Sequence, residues 1–168
     1  MTSKKRIIFI TMTIMIISLL SGCSNKAMNK IYDDNSKIAS AYDTFGLSHS
    51  KETIEPGIYK ARFKLSGSGT IWTYESDSDI DLKVPYILSV KSGKAKIVLI
   101  SPDNTVVTLV ENTNKATMNE TTSFTVPIKK GNNRIKIVGC EKADIDIELH
   151  IEQGTFKEIN EKIDSLPN

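Results

Sequence analysis

Two cysteines, two histidines and one tryptophan in 168 residues leave several common chemistries short of material. Two thiols are too few for a disulfide-framed miniprotein or a four-cysteine zinc site. Two imidazoles, His49 and His150, leave little for a histidine-based metal or acid–base centre. Arginine is also scarce, three against 19 lysines, so bidentate guanidinium reading of phosphate is not a theme. No Gly-x-Ser-x-Gly elbow occurs, and Gly67-Ser68-Gly69 opens no helix pattern, so it reads as a turn rather than a phosphate cradle. The longest apolar run, Ile7–Leu20, has 14 residues, short of the roughly 20 that a bilayer-spanning helix needs. What remains is 39% apolar and 25% charged, the balance of one ordinary globular core.

The first 23 residues carry an address. Lys4, Lys5 and Arg6 precede the short apolar run, and small residues follow it, the order of a secretory signal peptide. The run ends on Leu20-Ser21-Gly22-Cys23, which resembles the lipobox of bacterial lipoproteins. That resemblance covers residues 1–23 only. It implies cleavage between Gly22 and Cys23, with Leu20 in the apolar recognition position. Residues 1–22 would be removed, and Cys23 would carry a diacylglyceryl thioether and tie the chain to the lipid bilayer. Two acyl chains give stable anchoring where one is marginal. The expected place is the extracytoplasmic face of the cell membrane. The Ile-, Lys- and Asn-rich composition is that of an AT-rich genome and goes with a Gram-positive cell surface.

Loss of the signal removes three basic residues and no acidic one, leaving 19 basic against 20 acidic side chains. The mature domain is near neutral, and the sequence pI of 8.4 belongs largely to the discarded segment. Nucleic acid is thereby excluded as a partner.

Residues 23–50 read as the lipidated cysteine and a tether. Within it, Ile31, Ile38, Tyr42 and Phe45 fall at near-helical separations, so 30–45 is either a docked amphipathic helix or a spacer. Gly46–Glu52 reads as a connection. From 51 to 168 the period is two. Tyr59, Ala61, Phe63 and Leu65 alternate with Lys60, Arg62 and Lys64, and Ile145 to Ile151 alternate with Asp144, Asp146, Glu148 and His150. Pro85 interrupts the run Ile80–Val90 and marks an edge or a bulge. Turns are expected at Gly67–Gly69, Ser92–Lys94, Ser101–Asn104 and Gly139–Lys142, and a loop at Asn112–Glu120. Phe156, Ile159 and Ile163 predict a short C-terminal helix stopped by Pro167. About eight strands without intervening helices predict an all-β fold, an antiparallel β-sandwich of jelly-roll kind.

The candidate sites are few. His49 lies in a polar connection and His150 on a face read as solvated, so neither has a nucleophile's context. Asp77, Asp79 and Asp81 alternate and could open a calcium loop, but the glycine and closing glutamate of such a loop are missing. An outward charged face is the plainer reading, with no metal and no cofactor. Trp72 and Tyr74 share one strand face, as core residues or as a platform for a sugar ring. Cys140 is left without a partner if Cys23 is lipidated, and its position at a strand end favours burial.

Three functions are compatible. The leading expectation is a tethered β-sandwich that binds an envelope protein in an accessory, sensory or protective role, since no catalytic constellation is present. The alternative is a glycan- or cell-wall-binding module using Trp72 and Tyr74. The third is a hydrolase with an acidic site at Asp77–Asp81.

Overall fold

Strict alternation of apolar and polar residues buries one face of a strand and wets the other, and a sheet of this kind dominates the molecule. The computed structural model describes residues 26–113 and 122–159. It is all-β and antiparallel, a seven-stranded sheet. The strands are β1 (Thr44–Glu55), β2 (Ile58–Ser76), β3 (Ile80–Ile100), β4 (Val106–Thr113), β5 (Thr122–Ile128), β6 (Gly131–His150) and β7 (Thr155–Phe156). They run in the order β1-β2-β6-β3-β4, with β5 beside β3 and β7 beside β2.

Three of these strands have 19 to 21 residues, far longer than the usual five or six. They stay compact by bending. The pairing slips at one common level: between Ser48 and Lys51 in β1, Leu65 and Gly67 in β2, and Val90 and Lys94 in β3. In β6 the same level holds Glu141 and Lys142, both at positive φ. Gly67, at φ +99°, lies so close to β1 that an added Cβ would sit 2.1 Å from the Thr44 carbonyl oxygen. Glycine is what allows two backbones to approach there.

The bend folds the sheet onto itself into two sandwich-like layers. Tyr59 and Trp72 lie in the two limbs of β2, which would separate them by about 43 Å if the strand were straight. Phe156 nonetheless stacks on Tyr59 at 5.6 Å while pairing with Trp72 through β7. Between the layers lies one core, with Phe63, Leu65, Leu88, Ile97, Leu99, Ile137, Ile145 and Leu149 all buried.

The outer face of one layer is covered by the N-terminal segment. Residues 26–29 make a helical turn and α1 (Asn35–Ile38) follows, capped by the Asp34 side chain. Ile31, Tyr32 and Ile38 are buried there against Val98, Ile100, Val138 and Cys140. Two cations of β6 grip the exit from α1. Arg134 donates to the Ala39 and Ser40 carbonyls, and Lys136 Nζ donates to Ser40 O at 2.8 Å. Lys136 is fully buried and paired with Asp43 at 3.0 Å, so burial lowers its pKa while the carboxylate opposes that fall. The outer face of the other layer carries a cross-strand ladder, Lys60 to Glu148, Arg62 to Asp146 and Lys64 to Asp144. Among the described residues no helix is long and apolar enough to cross a membrane.

Several expectations change. The stretch 46–52 is strand, not connection, and the sheet begins at Thr44 rather than at 51. Residues 67–69, 92–94 and 139–142 bend their strands without reversing them, which is why three strands of 19 to 21 residues stand where shorter ones were expected. The segment 30–45 holds a docked helical piece, not a free spacer. Residues 155–159 are not helical, and Ile163 and Pro167 lie outside the described residues. Residues 1–25, with Leu20, Gly22 and Cys23, lie outside them too. The turn at Ser101–Asn104 forms as expected, with Asn104 N donating to Ser101 O.

Gly67→Ala should lose about 3 kcal/mol, because the new methyl group meets backbone at a positive φ. Gly46→Ala meets the flexible Met28 sulfur at 3.2 Å and should lose under about 1 kcal/mol. Urea denaturation of both variants checks the contrast; equal losses would remove the bend from its structural role.

Candidate functional site

A strand that outruns its neighbour leaves a gap in the sheet. β3 pairs with β5 from Ile80 onward, but its pairing with β6 starts only at Tyr86 opposite Leu149. Pro85 sits at that junction, opposite Ser123 of β5. β6 then turns away, and Ile151 N donates to Gly57 O in the β1–β2 turn at 2.8 Å. Between that turn and residues 81–85 of β3 opens a cleft of about 580 Å³. Small-molecule sites usually span about 300–1,000 Å³.

The cleft's polar groups are mixed. Asp81 and Lys83 come from β3, His150 from the end of β6, and Glu152 and Gln153 from the segment after it. Leu82 and Pro85, both partly exposed, supply apolar surface. His150 Nε2 lies 2.6 Å from Glu148 Oε1, which joins the cleft to the Lys60–Glu148 rung of the ladder. Partial burial pushes the Glu148 carboxyl up, but the bonds to His150 and Lys60 outweigh it and hold the group below the usual carboxylate range. No serine, threonine or cysteine lines the cleft, and its groups offer donors, acceptors and charge.

Trp72 shapes one wall without touching solvent. Its ring is fully buried, and its indole Nε1 donates to Gln153 O at 2.8 Å. Gly154, at φ +76°, lets the chain cross that ring: an added Cβ would sit 2.6 Å from it. The platform reading of Trp72 and Tyr74 is thereby corrected. Their rings are tilted at 43° with centroids 5.8 Å apart, and only Tyr74 is partly exposed. A register slip between Thr70 and Trp72 sends Ile71 and Trp72 inward together.

The other sequence candidates disperse. Asp79 caps the turn before β6, accepting from Lys129 Nζ and Lys130 N at 2.8 Å each. The Lys129 hydrogen bond, with that from Lys130 N, lowers its pKa. Asp81 lines the cleft, and Asp77 is exposed and joins neither. Among the described residues no three His, Cys, Asp or Glu side chains converge on one point. His49 occupies the bulge of β1 at φ 55° and is exposed. Cys140 is a buried free thiol under the N-terminal segment, and burial pushes its pKa up. Lys83, Glu152 and Gln153 were not singled out by sequence, and His150 was placed on an open face. The readable signal was Pro85 inside an alternating run, with Gly154 just beyond the last strand period.

Trp72→Ala should cost about 3–5 kcal/mol through the cavity it leaves. Tyr74→Ala, at a half-exposed position, should cost less than half of that. Chemical denaturation followed by far-UV circular dichroism reads both; a fully stable Trp72→Ala would take the indole out of the core.

No protein-family model matches this chain, and no curated protein does. Among solved structures it is similar to a family 29 carbohydrate-binding module at 12% identity, covering 65% of this chain and 75% of that one with a TM-score of 0.33. Two variants of the module CBM29-2 match at the same TM-score and identity, with 78% and 77% of their chains covered. At that TM-score the likeness carries no argument about ligand.

Proposed function

We propose that this is a lipid-anchored, extracytoplasmic binding module whose polar cleft takes a glycan of the cell envelope. The observation that carries the reading is the cleft lining. Carboxylates at Asp81 and Glu152, the Lys83 ammonium and the Gln153 amide can bond hydroxyl groups from several sides. Leu82 and Pro85, both partly exposed, offer apolar contact for a ring face between those groups. The anchor is Cys23 with its two acyl chains, and the signal before it directs export. The glycan reading thus moves from Trp72 and Tyr74 to the end of β6.

A protein partner is the weaker candidate. The centres of protein interfaces are rich in aromatic and apolar anchors. Among the described residues, the exposed large apolar side chains are Tyr42 at 80% and Ile54 at 41%. Tyr42 precedes β1 and Ile54 lies near its other end, so they form no patch.

Lys83→Gln combined with Glu152→Gln should weaken binding of envelope polysaccharide fragments about tenfold or more, with an unchanged melting temperature. Isothermal titration of the folded protein against purified wall glycans measures this. Wild-type protein that binds none of them, or a double variant that binds as well, would remove the cleft from this role.

A further inference from the structure

The N-terminal segment is held to the sheet from residue 29 to residue 43. Tyr32 lies beneath two ammonium groups, with Lys94 Nζ 4.2 Å and Lys96 Nζ 4.7 Å from its ring centroid. Its hydroxyl donates to Glu111 Oε1 at 2.6 Å. Upstream, Glu141 N donates to Asn29 Oδ1 at 2.9 Å, so docking already holds at residue 29. Downstream, the buried Lys136–Asp43 pair closes the strap, and Thr70 Oγ1 donates to the same Asp43 carboxylate. Covalent geometry sets the consequence. Three residue steps separate Cys23 from Lys26, a reach of at most about 11 Å.

Near that point the strap presents Lys26, Lys30 and Lys37, all exposed. Lys37 pairs with Asp34 at 3.1 Å. Beside them lies an open groove of about 550 Å³ lined by Ala27, Met28 and Ile31 on one flank and Ser40 and Thr44 on the other. Met28 can be no more than about 16 Å from the anchor cysteine, allowing for the helical turn between. Cationic groups beside an apolar groove suit the headgroup layer of an anionic bilayer. The cleft at His150 is at the far end of β6, about 23 Å beyond Ala143 along the strand.

We infer that the face formed by Lys26, Ala27, Met28 and Lys30 docks on the anionic surface of the membrane that carries the anchor. The domain then sits on the headgroups in one orientation, with the cleft held away from the bilayer. This rests on the lipidation of Cys23 and is independent of which ligand the cleft takes.

The test uses the full lipidated protein in vesicles of phosphatidylglycerol and phosphatidylcholine bearing headgroup nitroxides. Two variants in a Cys140→Ala background, Ala27→Cys and Glu55→Cys, carry an environment-sensitive fluorophore. Position 55 lies by the β1–β2 turn, at the cleft end. Quenching at position 27 should exceed that at position 55 at least threefold, and should fall when phosphatidylglycerol is left out. Equal and weak quenching at both sites, with the N-terminal peptide carrying the diacylglyceryl mass, would overturn the docked face alone. An N-terminal peptide without that mass would overturn the anchor reading and the docked face together, and so tells the two failures apart.

Discussion

Everything in this molecule depends on one constraint: three strands of about 20 residues must bend at the same level without breaking the sheet. A straight sheet of that length would leave its apolar face open to water on both limbs. Bending brings the limbs face to face, so that one apolar face covers the other. The residues at the bend meet two demands at once. Gly67 and Gly139 let β2 approach β1 and β6 closely, while His49, Gly93, Glu141 and Lys142 take positive φ values that absorb the extra residues. Once the limbs are folded, the segment after β6 can span their open edge, where Phe156 reaches Tyr59 and Ile159 packs on Gly69.

The cleft is a consequence of the same geometry. Because β6 leaves the sheet at His150 to cross between the layers, β3 continues past it with one edge unpaired. The crossing segment is then pinned by Trp72 beneath Gln153 and by Gly57 beside Ile151. A buried indole therefore acts on the cleft as a positioning residue, through the backbone it holds. The polar groups around the gap are spared the cost of burial by their exposure, which leaves them available to a ligand.

Alternation made the sheet legible, because a period of two has one physical meaning, while the pairing of Lys60, Arg62 and Lys64 with Glu148, Asp146 and Asp144 came from the register of β2 on β6. Bend and turn were not separable. Gly67-Ser68-Gly69, Ser92-Gly93-Lys94 and Gly139–Lys142 carry the residue types of reversals, and only the partner strands decide that the chain continues. The docking of residues 26–43 was half legible in Ile31 and Ile38. Its fixation by Arg134 and Lys136 was not, since those cations lie about a hundred positions away. The cleft was hidden for the same reason: Asp81, Lys83 and Glu152 meet through strand order, which no local pattern encodes.

The central claim is that ligand binds where β6 leaves β3. Backbone amide shifts in the folded, isotope-labelled protein, followed during titration with envelope polysaccharide fragments, test it most directly. The account predicts shifts that cluster at Asp81, Lys83, His150, Glu152 and Gln153 and spare the Lys60–Lys64 face. Shifts confined to that charged face, or to the N-terminal segment over Lys136, would contradict it.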